Sequence, residues 1–235
     1  MLLQPIQETT NAAESRAKAA MDLICSAILL LLLAPLLATI SICILLTMGR
    51  PVLFRQLRTG LNGDQFYILK FRTMHGQPGE TGAAISDDKR LTALGRLLRL
   101  SSLDELPQIF NVLKGEMSLV GPRPQLVSFE KYYTPFQFRR HEVKPGITGW
   151  AQINGRNSIS WDRKFELDVW YVDNWSMLLD LRILALTPLR LLFYKEVVGP
   201  YRCSKFSFEA QRDFDDLPGA PNTQPLRAEK RKVER

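Results

Sequence analysis

The 26 residues 23–48, LICSAILLLLLAPLLATISICILLTM, contain no charged side chain. About 20 apolar residues are enough to cross the hydrocarbon core of a bilayer, so this run commits the front of the chain to a membrane. Pro35 lies near its middle. A proline removes one backbone donor and collides with the carbonyl four residues back, here that of Leu31, so a kink is expected there. Two arrangements follow. One is a kinked spanning helix, which hydropathy alone favours because proline is tolerated in such helices. The other is a pair of half-helices that dip into the bilayer and return on the same side.

The chain of 235 residues has a net charge of +7. All of that excess lies beyond the apolar run, because residues 1–22 set Glu8, Glu14 and Asp22 against Arg16 and Lys18. The length fits one domain with appendages. Positive charge beside a membrane segment stays on the cytoplasmic side, so Arg50, Arg55 and Arg58 place the following domain there. A basic face suits anionic lipid head groups and phosphate-bearing substrates. Nucleic acid is not an expected partner, since no nucleic-acid-binding motif occurs. The run is too long, and its start too weakly basic, for a removable secretory signal. Cys25 and Cys43 lie inside it and Cys203 stands alone, so no disulfide framework or zinc spacing exists, in keeping with a reducing compartment.

Beyond the run the pattern reads as mainly α with short β segments, an α+β domain. Residues 1–20 read as a polar, helical or frayed lead-in. Short β-like stretches at 52–54 and 65–71 are broken by Gly60 and Gly63, and 75–85 reads as a loop. Residues 88–100 form an amphipathic helix with Leu91, Leu94, Leu97 and Leu98 on one face, suited to a protein surface or to lipid. A second helix is expected over 102–114, its core stripe made by Leu106, Ile109, Phe110 and Leu113 and its end closed by Gly115. Residues 144–156 are glycine-punctuated and loop-like. Residues 160–175 are helical. Residues 178–197 are apolar but interrupted by Asp180, Arg182, Pro188 and Arg190, which favours an interfacial or buried helix over a second span. From Asp213 the composition is that of a disordered tail.

The chemistry concentrates at Asp104-Glu105. Ser102-Leu103-Asp104-Glu105 matches a capping box and Pro107 tolerates only the first turn of a helix, so both acids are expected at a helix N-terminus, where negative charge is favoured. A carboxylate held ionised there could attack phosphorus. The plainer alternative makes Glu105 a cap and Asp104 a dipole-stabilising residue. Nearby cations favour the first. Arg123 lies between Pro122 and Pro124, which fix the backbone around it, and its guanidinium fork suits a phosphate. Lys70 and Arg72 lie on one face of a strand, since side chains two residues apart point the same way. Arg99 lies about one turn before the acids. Carboxylates among fixed cations suit a pyrophosphate with a divalent ion, because magnesium prefers carboxylate and phosphate oxygens; Asp104 and Glu105 are its candidate ligands. His75 and His141 are too few for a triad or metal cluster and read as surface or loop histidines. No GxSxG, GxxxxGK[ST] or GxGxxG motif occurs.

KFRTM at 70–74, SLDELPQ at 102–108, NVLKGEMSLVGPRP at 111–124 and KPGITGWAQINGR at 144–156 together resemble the monotopic phosphoglycosyl transferases, bacterial sugar transferases that start glycan assembly on polyprenol phosphate. The resemblance runs over residues 20–198. It implies a polar lead-in at 1–22, a re-entrant membrane helix at 23–48 broken at Pro35, a catalytic domain at 49–200 on the cytosolic face of the bacterial inner membrane, and a C-terminal extension at 201–235. The family's break is a Ser-Pro pair, where this chain has Ala34-Pro35. It further implies that Asp104 attacks the β-phosphate of a UDP-sugar, that UMP leaves, and that undecaprenyl phosphate then takes the phosphosugar. Such transfer starts an exopolysaccharide, capsule, O-antigen or glycoprotein glycan. Glu105 would hold magnesium or orient the site, and Arg123 would contact the nucleotide or phosphates. Lys70, Arg72 and Arg99 would be pocket cations. A non-enzymatic membrane adaptor and a glycosyltransferase releasing UDP are the rival readings. The sugar, the pathway and the oligomeric state stay open.

Overall fold

The computed structural model describes residues 4–76, 90–155 and 159–193. Helix α1 (Gln4–Met48) contains Pro35 in its interior. Lead-in and apolar run are one element, and the helix does not end at Pro35, the position where the sequence predicts a break. Thr39 Oγ1 donates to the Pro35 carbonyl at 2.8 Å. Asp22, Ser26, Leu37, Ile40, Ile44 and Met48 are buried, and Leu30 and Leu33 pack against the same cluster as the last four. Their spacing of three or four residues makes one stripe along the helix. On the other side Ile24, Ile28, Leu31, Leu32 and Leu46 are exposed, Leu46 to 81 %.

The domain begins with an antiparallel hairpin of β1 (Leu53–Thr59) and β2 (Gln65–Phe71). Its register sets Phe54 opposite Lys70 and Arg58 opposite Phe66. Helix α2 (Ala93–Leu100) follows, capped by the Thr92 side chain, which accepts from the Gly95 amide. It is shorter than the predicted 88–100, whose first residues up to 89 lie outside the described residues. Of its leucines, Leu98 is buried, whereas Leu97 and Leu100 are exposed. Gly95 crosses so close to Thr73 that an added Cβ would lie 2.0 Å from that residue's carbonyl oxygen.

The predicted 102–114 helix is split. A 3₁₀ turn, Leu103–Glu105, precedes α3 (Gln108–Leu113). Leu106 and Pro107 keep helical dihedrals, but the Leu106, Ile109 and Phe110 amides bond three residues back, as in a 3₁₀ helix. This tighter winding accompanies a buried face of Gln108, Ile109, Asn111 and Val112 with Phe110 exposed, so the expected stripe is corrected at Phe110 and Leu113. Gly115 ends the helix as predicted, at φ +77. Its amide bonds the Val112 carbonyl while the Glu116 amide reaches that of Asn111, the pairing of a Schellman motif.

β3 (Ser118–Val120) pairs in parallel with β4 (Gly146–Thr148). The sequence reads residues 144–156 as loop; they hold β4 and the one-turn α5 (Trp150–Ile153). Glycine is required at this crossing, since a Cβ on Gly121 would sit 2.3 Å from the Lys144 carbonyl oxygen. Between these strands lie α4 (Pro135–Phe138), whose capping box joins Thr134 and Gln137, and the 3₁₀ turn Arg139–His141. Helix α6 (Trp161–Asp173) starts at the Ser160 cap, close to its predicted start. Helix α7 (Met177–Phe193) contains Pro188 and exposes Leu178, Leu181 and Leu189.

Two apolar clusters hold these parts together. The larger joins Phe66, Ile68, Val112, Met117, Leu119, Val120, Ile153, Tyr171 and Ile183. The other joins α1 to the domain through Ile40, Ile44, Met48, Phe71 and Leu98. A buried polar network fixes α1 where the apolar run begins. Lys18 pairs with Asp180 and donates to the Val120 carbonyl at 3.2 Å. Asp22 accepts from the Leu119 amide. Asp180, fully buried, also accepts from Tyr171 Oη at 2.7 Å and Trp175 Nε1 at 3.2 Å.

Candidate active site

Helix α2 stops where Ser102 takes a left-handed conformation, φ 56, uncommon for a residue with a side chain. The Ser102 side chain makes no cap hydrogen bond to the Leu103–Glu105 turn, which corrects the predicted capping box. The acids stand in the 3₁₀ turn between α2 and α3. Leu103 and Leu106 pack into the cluster shared with α1 and so anchor the turn on both sides of the acid pair.

Glu105 is clamped. Arg123 donates to it bidentately, with Nη1 at 3.0 Å from Oε2 and Nη2 on Oε1. Lys70 Nζ lies 2.7 Å from the same Oε1. Burial pushes the Glu105 carboxyl up, but the charges of Arg123 and Lys70 and their hydrogen bonds outweigh burial and hold it well below the usual carboxylate range. Asp104 differs. Among the described residues its carboxylate makes no hydrogen bond or ion pair. Burial first, and then the charge of Glu105, push it up to about 6 against the pull of Lys70, Arg99 and Arg123. Two adjacent carboxyls are thus separated in acidity, Glu105 held towards its charged form and engaged, Asp104 with oxygens unbonded among the described residues.

The sequence-predicted residues Asp104, Glu105, Lys70, Arg99 and Arg123 act on one another electrostatically. Arg99 also donates from Nε to Thr73 Oγ1 at 2.9 Å. Arg72 is placed elsewhere. Strand β2 ends at Phe71, so the two-residue alternation lapses, and the Arg72 head group binds the carbonyls of Met74, Arg50 and Met48 at the end of α1. Pro122 and Pro124 flank Arg123 in a turn whose carbonyls are individually held. Pro122 O accepts from the Gly146 amide at 2.9 Å, Arg123 O from Arg140 at 2.7 Å, and Pro124 O from Arg58 at 3.3 Å.

Arg58 is a member that the sequence does not reveal. Burial, then the like charge of Arg123, lower it to about 10, while Glu105 favours its charge. Only the hairpin register puts it on the same sheet face as Lys70. His141 is buried rather than superficial; Nδ1 lies 3.1 Å from the Gly60 carbonyl, and burial pushes it down to about 4, so it is neutral. His75 is exposed. A cleft of about 480 Å³ lined by Trp150, Asn154, Arg163, Glu166, Leu167 and Trp170 contains none of the acid-site residues. No group of three or more His, Cys, Asp or Glu is placed to hold a metal among the described residues. Within the acid pair, Asp104 has oxygens to offer and Glu105 has both engaged.

The raised Asp104 value has a measurable consequence. In metal-free protein its carboxyl is expected to titrate near pH 6 by carbonyl-carbon NMR of labelled aspartate, with Asp104→Asn identifying the signal. Glu105→Gln removes a charge that raises it and is expected to lower the midpoint. Because the folded chain holds this proton more tightly than the unfolded chain, ionisation of Asp104 costs stability above pH 6, and that cost fades as pH falls towards 4. A midpoint at the ordinary aspartate value would contradict this geometry.

Comparison with known proteins identifies the family. Residues 13–194 match the family described as bacterial sugar transferase. The chain is 61% identical over 147 residues to "Uncharacterized sugar transferase EpsL" of Bacillus subtilis (strain 168), covering 63% of this chain and 73% of that protein. It is 39% identical over 202 residues to a UDP-glucose:undecaprenyl-phosphate glucose-1-phosphate transferase of Caulobacter vibrioides, covering 82% and 76%. It is 45% identical over 190 residues to a protein of the same name from Xanthomonas campestris pv. campestris, covering 76% of this chain but 39% of that longer protein. The chain belongs to the bacterial sugar transferase family.

Proposed function

We propose that this protein transfers a sugar-1-phosphate from a UDP-sugar to undecaprenyl phosphate through a phosphosugar carried on Asp104. One observation carries the reading: Asp104 is the carboxylate with open oxygens, set beside a Glu105 whose oxygens are both bound by Arg123 and Lys70. An Asp104 oxygen attacks the sugar-bearing phosphorus of the donor, the bridging P–O bond breaks, and UMP leaves with the bond's electrons. An oxygen of undecaprenyl phosphate then attacks the same phosphorus, and the carboxylate is released. Splitting the transfer this way lets a soluble donor and a lipid acceptor use one site in turn. Arg123, Lys70, Arg99 and Arg58 supply fixed positive charge where phosphate charge develops. Glu105 aims Arg123 and Lys70 without reacting.

The donor set fits magnesium held by Asp104 and substrate phosphate oxygens, since this ion needs only one or two carboxylates when phosphates complete its shell. Bound there, the ion would neutralise diphosphate charge. Glu105 is then an orienting residue. Magnesium is expected to displace the Asp104 titration to lower pH, and an unmoved midpoint would remove the metal from this site.

A panel of UDP-sugars, beginning with UDP-glucose, tests the reaction. UMP is expected with undecaprenyl phosphate present. UDP instead would mean sugar transfer without phosphate, and neither product would favour a non-enzymatic adaptor.

The apolar segment enters and leaves on one membrane face in this reading. Lys18 and Asp22 touch the domain at one end of the run, and Ile44 and Met48 touch it at the other. A helix spanning about 30 Å of hydrocarbon would carry one end away from the domain. A single cysteine placed at the N-terminus of a variant without its native cysteines is therefore expected to resist an impermeant periplasmic reagent in whole cells and to react after lysis. Ready labelling in whole cells would mean a full span. Arg50, Arg55 and Arg58, just beyond the segment, favour the cytoplasmic face of the inner membrane for the domain.

A further inference from the structure

We propose that the buried Arg140–Asp168 ion pair is a positioning device for Arg123, fixing the main chain of the Pro-Arg-Pro turn so that its guanidinium meets Glu105. The kinetic form of this inference rests on the transferase reading above. Arg140, in the 3₁₀ turn before β4, is 2 % exposed, and Asp168, on α6, is 3 % exposed. One nitrogen of Arg140, Nη2, lies 2.7 Å from Asp168 Oδ2 and 2.7 Å from the Arg123 carbonyl oxygen. Nη1 donates to Tyr133 Oη at 3.2 Å, and the guanidinium carbon lies 5.4 Å from the centre of the Phe165 ring. Its Nε is buried with no hydrogen-bond partner among the described residues.

This is an expensive arrangement for holding a fold together. Two desolvated charges and an unmatched donor stabilise a core no better than apolar side chains of similar volume, which often replace such pairs without loss. What apolar replacements could not do is donate to the Arg123 carbonyl. That carbonyl belongs to the residue whose side chain clamps Glu105, and the prolines on either side leave the turn few alternative conformations. Fixing the carbonyl therefore fixes the direction in which the Arg123 side chain departs. Asp168 in turn holds the Arg140 fork in the orientation that reaches the turn. Neither residue touches the acid pair, so both act through Arg123.

The test is a mutant cycle on the full-length protein in detergent. The variants are the apolar replacement R140M/D168L, R123A, and the three substitutions together. R140M/D168L is expected to keep the thermal midpoint within a few degrees, to raise the donor KM and the UMP dissociation constant about 10- to 100-fold, and to lower kcat less. In the Arg123→Ala background the same replacement is expected to change kcat/KM by less than about threefold, because residues acting through one partner are not additive. A purely structural pair would multiply with Arg123→Ala, and that result, or unchanged donor binding in R140M/D168L, overturns the proposal. Should the apolar variant not fold, Arg140→Lys carries the same cycle. It keeps a charge against Asp168, but its single ammonium lacks the fork and is expected to give the same pattern at smaller size. Hydrogen exchange of the peptide covering residues 118–126 is expected to quicken in the pair variants while that of β1–β2 does not. That readout needs no turnover, so a wild-type protein that releases no UMP from any donor would end the transferase reading and leave the positioning claim to be decided by exchange.

Discussion

Asp104→Asn is expected to abolish UMP release, by about 10⁴-fold or more, the scale seen when a covalent nucleophile is removed. The substitution keeps the shape of the side chain but replaces one carboxylate oxygen by an amide nitrogen, which removes the anionic nucleophile. It is not expected to weaken the fold. Burial and Glu105 both disfavour the charge on Asp104, so a neutral amide there should leave the thermal midpoint equal or higher. The combination separates loss of chemistry from loss of structure. With a donor labelled in its β-phosphate and no acceptor present, wild-type protein should retain label and the variant none. Turnover surviving in Asp104→Asn, or a wild-type protein whose mass never shows a phosphosugar adduct, would rule out Asp104 as carrier.

Arg123→Ala has the next largest expected effect, a fall in kcat/KM of about 10²- to 10³-fold, the size associated with losing a preorganised charge-stabilising donor. Its action is double. The donor phosphates lose a fixed cation, and Glu105 loses both bonds of its bidentate partner. With Glu105 less compensated, Asp104 should become harder to ionise. Arg123→Lys restores a charge but not the planar fork, so only partial recovery is expected. Steady-state kinetics in both donor and acceptor would show whether the loss falls on the first half-reaction, as this geometry requires. A wild-type kcat/KM in Arg123→Ala would take Arg123 out of the site.

Much of this was legible from local pattern. The apolar run, the Gly115 stop, the helix opening at Ser160, the Pro-Arg-Pro turn and the acid pair are all signalled within a few residues of where they occur. What escaped is what depends on distant partners. Ser102 has the spelling of a cap, yet the packing of Leu103 and Leu106 against the α1 cluster turns the chain there and makes it a hinge between helices. The 102–114 periodicity predicts one helix; the 3₁₀-type winding through 103–110 goes with a buried face at Asn111 and Val112 in place of Phe110 and Leu113. β3 and β4 are three residues each and pair across more than twenty intervening residues, too short for any alternation to announce. Arg58 joins the acid site only through hairpin register, and Arg72 leaves it because the strand ends one residue too soon. Spacing gives the ingredients of the site; long-range pairing decides which cations reach it.

The Lys18–Asp180 pair bears on how this protein can be handled at the bench. Asp180 is sealed inside the domain, and its cationic partner is supplied by the stretch ahead of the greasy segment. Trimming the gene to begin at Arg50, in the hope of a water-soluble fragment, would strand that carboxylate, a defect worth about 3–5 kcal/mol when one member of a buried pair is lost. It would also bare the side of Phe71 and Leu98 that Ile44 and Met48 cover. The anchor is therefore part of the folding unit, and purification has to carry it along.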